Sequence, residues 1–188
     1  NKQLGQGVKV NLTNYFNWIY GHYKIRFYSC LAFLLFSNFL VAQVYNIATE
    51  NGNTVNTCIG TFTDSDAASA GSYANNEDYL VTFCSNLAGS CLTLDFSTFD
   101  IIDDQDWLYI WDGADTISGE DIGAFNNPVG SSTNDIMSIY PDGIQSVSGC
   151  FTFYFHSDNN FISGSGWEAS LSCYSPCVSC NDAIQNGT

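Results

Sequence analysis

The chain has 188 residues, of which nineteen are acidic and four are basic, so its formal net charge is −15. This length suits one domain with additional segments. No basic residue lies after Arg26, and no acidic residue lies before Glu50. The region after Ala42 therefore carries only negative charge, which argues against binding to nucleic acid or to an anionic membrane surface and favours bound cations. A role in solubility is the alternative explanation for this surplus of acids.

A basic and then apolar segment comes first. Lys24 and Arg26 precede an apolar run from Phe27 to Ala42, and the run ends on a small residue. This order predicts a secretory signal peptide region over residues 1–42. A membrane anchor is the alternative, but the run is shorter than the roughly 20 residues that a spanning helix needs.

All the cysteines except Cys30 follow this segment. They are Cys58, Cys84, Cys91, Cys150, Cys173, Cys177 and Cys180. Secretion would place them in an oxidising compartment, where cysteines are expected to form disulfides. Their number is odd, so one thiol is either free or paired with a cysteine outside the chain.

Short alternating segments, rather than a helical period, fill the rest of the chain. The leader at 43–57 is polar and is either a connecting segment or an edge strand. Strands are then predicted, in chain order, at 79–83, 92–96, 107–111, 136–140, 151–155 and 167–171. Turn residues such as Asp112-Gly113 and Pro141-Asp142-Gly143 separate them. The remainder, 174–188, holds two cysteines and little apolar content, which indicates a linker or the start of another module.

Strands with one apolar face must cover that face with a second sheet. In Phe151-Thr152-Phe153-Tyr154-Phe155 the three phenylalanines share one face. We therefore predict an all-β sandwich of two antiparallel sheets over residues 58–173.

The segment Trp107 to Trp111 is apolar on both faces. Trp107, Tyr109 and Trp111 lie opposite Leu108 and Ile110. We expect this aromatic stripe to form a core or inter-sheet layer, with stacking on sugar rings as the alternative.

Catalysis is not indicated. Among nineteen acids a pair at the spacing of glycosidase carboxylates is expected by chance. His156 is the one histidine after the predicted signal, and it is expected to lie on the strand face opposite the three phenylalanines. We predict that the chain is not an enzyme.

Several stretches, read in order, resemble a CUB domain, in the variant found in secreted proteins of the Bacteroidetes type. They are Cys58-Ile59-Gly60 with Cys84 after it, Phe96 to Ile101, Asp106-Trp107-Leu108-Tyr109-Ile110-Trp111-Asp112-Gly113, Phe153 to Asp158, and Gly166-Trp167-Glu168-Ala169. The resemblance covers Cys58 to Cys173 and implies a jelly-roll β-sandwich. It also implies a disulfide between Cys58 and Cys84. Cys150 and Cys173 would replace a second disulfide that many members have.

The same resemblance implies a calcium site at one end of the sandwich. Asp106 and Asp158 match two of the acidic ligands of such domains, and Asn160 holds a helper position. The third acid is absent, because Ile102 stands where a Glu is expected, and Asp103 or Asp104 follows at once. We expect Asp103, Asp106, Asp158 and Asn160 to hold Ca²⁺, which prefers oxygen ligands. The alternative is that these aspartates only accept hydrogen bonds from turn N–H groups.

The function implied is that of a secreted or cell-surface binding module that recognises an extracellular protein or a glycan with the help of calcium. The mature domain is expected neither to bind nucleic acid nor to insert into a membrane. Two alternatives stay open: the non-catalytic accessory domain of a secreted hydrolase such as a metalloprotease, and a structural spacer of a surface adhesin.

Overall fold

Ten strands and one short helix form the part of the chain that the structure, a computed structural model, describes: residues 43–66 and 71–177. In chain order these elements are β1 (Val44–Asn46), β2 (Thr54–Asn56), β3 (Ile59–Thr63), β4 (Asp78–Cys84), β5 (Cys91–Asp100), β6 (Trp107–Asp112), β7 (Glu120–Phe125), α1 (Ile136–Ile139), β8 (Ile144–Gln145), β9 (Cys150–His156) and β10 (Gly166–Tyr174).

The strands form two five-stranded sheets. The first has the order β1-β3-β10-β5-β8 and the second the order β2-β4-β9-β6-β7. The predicted all-β jelly-roll sandwich is thus confirmed, with one difference in strand direction. Each sheet is mixed, because β1 runs parallel to β3 and β2 runs parallel to β4, whereas the other neighbours are antiparallel.

Both parallel strands come from the polar leader at 43–57 and lie at sheet edges. Tyr45 and Ile47, which belong to β1 and the turn after it, are nonetheless buried in the core. The Tyr45 hydroxyl donates a hydrogen bond to Thr57 Oγ1 at 3.1 Å. The leader therefore closes one side of the sandwich, and its apolar residues belong to the core.

The core depends on alternation along β9. Phe151, Phe153 and Phe155 are fully buried, as predicted, and point away from the outer face of the sheet. The ring centroid of Phe62 from the opposite sheet lies 4.7 Å from that of Phe153. The ring centroids of Trp167 and Phe155 are 5.0 Å apart. Full burial of an aromatic or aliphatic side chain contributes about 1.5–3 kcal/mol, so these rings are a major source of stability.

The strand predictions are confirmed at five of the six segments. The exception is 136–140, which forms α1 and the residue after it. Asp135 caps this helix, since its side chain accepts a hydrogen bond from Met137 N at 3.1 Å. Only Ile136 of the helix is buried. A short apolar run fits both the two-residue period of a strand and the 3.6-residue period of a helix. Here the capping aspartate favours the helix.

The aromatic stripe of β6 does not lie in the core. Leu108 and Ile110 are fully buried, whereas Trp107, Tyr109 and Trp111 are partly exposed on the outer face of the second sheet. The expectation of a core or inter-sheet layer was wrong. Strand geometry puts only one face of β6 inside, and the aliphatic face takes that position.

In the described part of the chain, three disulfides link Cys58 to Cys173, Cys84 to Cys150 and Cys91 to Cys177. All four cysteines predicted to form disulfides do so, but their predicted partners were wrong. Cys58 does not pair with Cys84, and Cys150 and Cys173 do not form a disulfide with each other. Strand register gives the reason. Cys84 on β4 lies directly opposite Cys150 on β9, and Cys58 precedes Ile59, whose cross-strand partner is Ser172. Cys180 lies outside the described residues.

No helix among the described residues is long and apolar enough to cross a membrane. The predicted signal peptide region, 1–42, lies outside the described residues, as do residues 178–188.

Replacement of Cys58 and Cys173 together by Ala should lower the free energy of unfolding by about 2–5 kcal/mol, because the disulfide constrains a long loop of the unfolded chain. Chemical denaturation under non-reducing conditions measures this loss.

The pairing itself can be checked by mass spectrometry of a non-reduced digest. The region after Arg26 has no Lys or Arg, so trypsin has no site there, and pepsin is the suitable protease. Acid also suppresses thiol exchange, because the thiolate is the attacking species. A linked peptide that joins Cys58 to Cys84 would contradict the assignment.

Candidate metal site

Three carboxylates meet at one end of the sandwich. Asp103 and Asp106 lie in the loop between β5 and β6, and Asp158 is the second residue after β9. One oxygen of each lies within 4.8 Å of the others. The two connections that carry these residues adjoin because β6 and β9 are antiparallel neighbours, and Trp107 pairs with His156. We call these three residues the acid cluster.

Asp106 is the most enclosed member of the acid cluster, and it is buried. Its Oδ1 accepts a hydrogen bond from Asp158 N at 2.8 Å. Its Oδ2 accepts one from the Tyr73 hydroxyl, also at 2.8 Å. These bonds hold the carboxylate in one orientation and tie the β5–β6 loop to the end of β9.

Asp103 is buried as well, and it contacts the fourth predicted residue. Its Oδ1 accepts a hydrogen bond from Gln105 N at 2.7 Å, and its Oδ2 accepts one from Asn160 Nδ2 at 2.9 Å. Asn160 Oδ1 in turn accepts a hydrogen bond from Ile162 N at 2.8 Å. The structure therefore brings all four predicted residues together, with the amide nitrogen of Asn160, and not its oxygen, toward Asp103.

Ile102 breaks the expected acidic pattern but does not leave the site short of a third carboxylate. Asp103, the next residue, supplies it. Ile102 itself is half-buried, and Asp104 is exposed at the surface. A shift of one position along an irregular loop is tolerated because no strand alternation fixes which side chains of the loop point inward.

Sequence reasoning missed two residues that hold the site. Tyr73 is buried, and its ring packs at 5.1 Å from that of Phe155. Asn126 is also buried, and its Nδ2 donates hydrogen bonds to the backbone oxygens of Asp103 at 3.2 Å and of Asp106 at 3.3 Å. Both come from distant parts of the chain, and nothing in their local sequence indicates this role.

It is unfavourable for all three carboxylates of the acid cluster to be ionised at once without a bound cation. Burial raises the pKa of Asp106, and the nearby charges of Asp103 and Asp158 act in the same direction. The hydrogen bonds from Asp158 N and Tyr73 oppose this rise. Burial also raises the pKa of Tyr73, so its hydroxyl remains a donor. A bound cation would remove the repulsion among the carboxylates.

An exposed apolar tip adjoins the acid cluster. Phe161 is 81% exposed, and Ile162 is 49% exposed. Phe161 has a φ of 65°, in the left-handed region that a bulky residue rarely adopts. Strained residues of this kind concentrate at binding loops, where the surrounding structure holds them.

A separate polar recess of about 130 Å³ is lined by Asp64, Asp66, Glu168 and neighbouring hydroxyl groups. The buried Asp64 has a structural task there, since its Oδ2 accepts a hydrogen bond from Trp167 N at 3.0 Å and its Oδ1 one from Asp66 N at 2.8 Å. Asp64 thereby connects the end of β3 to the start of β10.

Another buried carboxylate, Glu77, lies close to the acid cluster. Ser65 Oγ donates a hydrogen bond to its Oε2 at 2.7 Å, and Glu77 N donates to Ser157 Oγ at 3.0 Å. Burial is the main cause that raises the pKa of Glu77, and the charges of Asp64 and Asp106 add to it.

Solved structures with this fold were found by comparison. The CUB1-EGF-CUB2 domain of human MASP-1/3 matches with a TM-score of 0.50 and 23% identity, over 66% of this chain and 42% of that one. The CUB1-EGF-CUB2 domains of rat MASP-1 match with a TM-score of 0.54 and 12% identity, over 77% of this chain and 47% of that one. The chain therefore spans less than half the length of these two relatives. A crystal structure of the MASP-1 CUB2 domain bound to Ca²⁺ is also similar, with a TM-score of 0.46 and 22% identity, over 65% of this chain and 98% of that one.

At these identities the likeness shows the fold, which is that of CUB domains. A scan against protein-family models found no match, and a search of curated proteins found none either.

Substitution of Glu77 by Gln should raise the melting temperature at about pH 7 and have little effect at about pH 3. A raised pKa in the folded state means that folding favours the protonated carboxyl. The contribution of the protonated Glu77 carboxyl to folding stability is present at low pH and is lost as the pH rises through the pKa of Glu77 in the folded state. The uncharged amide avoids the loss and can still accept the hydrogen bond from Ser65.

Melting curves in excess chelator at the two pH values measure the effect, and Glu120→Gln, at an exposed strand position, is the control. An equal gain at both pH values would show that charge burial is not the cause.

Proposed function

We propose that this chain, which has the CUB fold, is a secreted binding module that recognises an extracellular protein or carbohydrate, with Ca²⁺ bound at Asp103, Asp106 and Asp158. The observation that carries the proposal is the convergence of three carboxylates within 4.8 Å, two of them buried. Buried carboxylates without basic partners are costly unless they bind a cation, and no Lys or Arg occurs among the described residues.

The ligand chemistry of the acid cluster supports calcium. The cluster offers only oxygen ligands, without the His or Cys side chains that zinc sites use. Ca²⁺ accepts six to eight oxygens in flexible geometry, so carboxylates on two loops, completed by backbone oxygens and water, suit it. Mg²⁺ demands a stricter octahedral arrangement, which irregular loops are less suited to provide.

Asn160 would contribute through its side-chain oxygen. The amide nitrogen now faces Asp103. Rotation of the amide by half a turn would replace the nitrogen with the oxygen but break the hydrogen bond from Ile162 N. A cation would favour the rotated orientation electrostatically and offset that loss.

Recognition is proposed at the same end of the molecule. The loop that carries Asp158 and Asn160 continues into the exposed Phe161 and Ile162. A cation that fixes Asp158 and Asn160 would also fix this tip, and a pre-ordered aromatic anchor loses less entropy when it binds.

A catalytic role is not part of the proposal. His156 Nδ1 lies 2.7 Å from Asp78 Oδ1, and both side chains are exposed at the surface. An accessory domain of a secreted hydrolase and a spacer of an adhesin remain the alternatives. Three disulfides support an extracellular location.

Calcium titration of the purified chain by calorimetry should show saturable binding at one site. At a calcium concentration of 100 times the dissociation constant the domain should gain about 2.7 kcal/mol of stability, which raises the melting temperature. Asp106→Asn should weaken binding by more than about tenfold, because loss of an outer-shell partner alone already costs that much.

Asp142→Asn, at an exposed turn position, is the control and should bind calcium like the unaltered chain. No binding and no change of the melting curve with calcium would overturn the calcium part of the proposal. In that case the aspartates would act only as acceptors of turn hydrogen bonds.

A further inference from the structure

Four partly exposed aromatic side chains lie together on the outer face of the second sheet: Trp107, Tyr109, Trp111 and Tyr154. We call them the aromatic face. Tyr109 on β6 and Tyr154 on β9 are direct cross-strand partners. Their ring centroids are 5.8 Å apart with planes at 35°, and the rings of Tyr109 and Trp111 are 6.1 Å apart with planes at 15°.

The outer face of the first sheet has a different chemistry. Its corresponding central positions hold Thr61 on β3, Ser170 on β10 and Asp95 on β5, which are cross-strand partners in one row. In the equivalent row across the second sheet, Leu80 on β4 lies beside Tyr154 on β9, and Tyr154 lies beside Tyr109 on β6. The side chain of Leu80 is also 37% exposed. Sheet formation alone therefore does not require aromatic residues on an outer face, and those of the second sheet need another explanation.

The charges around the aromatic face limit what can bind there. Asp78 is the cross-strand partner of His156, beside Trp107, and Asp121 is the partner of Trp111. No Lys or Arg occurs in the described residues to offset these acids. An anionic ligand would be repelled, whereas the hydroxyl groups of a neutral ligand could donate hydrogen bonds to the carboxylates.

Two kinds of ligand complement aromatic rings beside carboxylates: cationic groups and sugars. A cation is bound best by rings that surround it at steep angles to one another. The rings of Tyr109 and Trp111 are instead stacked, with their planes at 15°, and therefore do not surround a common point. The apolar C–H face of a sugar ring can lie against the electron-rich face of an aromatic ring, and aromatic residues at alternate positions of β6 can contact successive sugars.

We propose that the aromatic face binds a linear chain of neutral sugars, with Tyr109 and Trp111 as the stacking residues and Asp78 as an acceptor of sugar hydroxyl groups. This inference refines the proposed binding role, but it does not depend on the cation, since none of these residues belongs to the acid cluster.

The arrangement around Asp78 supports its role as an acceptor. Its Oδ1 accepts a hydrogen bond from the Tyr154 hydroxyl and contacts His156 Nδ1 at 2.7 Å. These bonds lower the pKa of Asp78, so it is ionised and can accept further hydrogen bonds. The same hydrogen bond raises the pKa of Tyr154 to about 12, which keeps its hydroxyl protonated.

The test is a titration of tryptophan fluorescence in the full chain. Trp107 and Trp111 are partly exposed, whereas Trp167 is buried, so a ligand on the aromatic face should alter the emission. The probes are neutral hexasaccharides of glucose, mannose and xylose, each with linear linkages, together with hyaluronan fragments as an anionic sugar and a lysine-rich peptide as a cationic ligand.

We expect saturable binding of at least one neutral hexasaccharide and none of hyaluronan. Tyr109→Ala should weaken that binding by about tenfold, as expected for loss of one aromatic contact. Tyr109→Phe keeps the ring and should bind like the unaltered chain. Val129→Ala, which removes a 90% exposed apolar side chain elsewhere, is the matched control.

Each contrary result overturns the proposal. These are an absence of binding by all three neutral sugars at millimolar concentration, equal weakening in Val129→Ala and Tyr109→Ala, or binding of the lysine-rich peptide alone, which would indicate a protein partner. Titrations repeated in excess chelator and in Asp106→Asn should give the same affinity for sugar. The outcome is therefore separate from the calcium titration, since either can fail while the other succeeds.

Discussion

The packing of three β9 phenylalanines against the opposite sheet holds this molecule together. Phe151, Phe153 and Phe155 are fully buried and meet Phe62 and Trp167 across the sandwich. Because side chains of a strand alternate, this packing also decides what lies on the other side of β9. Tyr154 and His156 must then point outward, beside the aromatic residues of β6. At its ends β9 carries Cys150, which joins β4, and leads into Asp158, which completes the acid cluster. One apolar pattern thus fixes a disulfide, an outer surface and a candidate metal site.

The two candidate binding surfaces use the same charge surplus in different ways. At the acid cluster, buried carboxylates repel one another, and a cation with a preference for oxygen ligands would remove that repulsion. On the aromatic face, the exposed carboxylates of Asp78 and Asp121 lie beside the rings, where they would repel an anion and could accept hydrogen bonds from a neutral ligand. The first surface would respond to calcium and the second would not. A module with both could attach to a glycan and recognise a protein, each through separate residues.

Much of the fold could be predicted from local patterns, and the errors have specific causes. Alternation located β4, β5, β6, β9 and β10. The short run 136–140 is compatible with a strand and with a helix, and the hydrogen bond that Asp135 accepts at its start stabilises the helix. The stripe Trp107, Tyr109 and Trp111 was assigned to the core because both faces of β6 are apolar, and local sequence does not state which face meets the other sheet. Of the site, Asp103, Asp106, Asp158 and Asn160 could be predicted from motif resemblance, whereas Tyr73 and Asn126 could not, since each acts across a long stretch of chain.

The fold class, the positions of most strands, the surplus of negative charge and the acids that meet at one end could all be predicted before the structure was known. The first three follow from composition and from a period of two residues, which are properties of neighbours along the chain, whereas the acids follow from the resemblance to a family motif. By contrast, the disulfide between Cys58 and Cys173, the roles of Tyr73 and Asn126 and the outward orientation of the β6 aromatic residues are evident from the folded molecule alone. Each of these depends on which strands become neighbours and in what register. Those pairings are chosen by the packing of the whole core, and no local stretch of sequence contains that information.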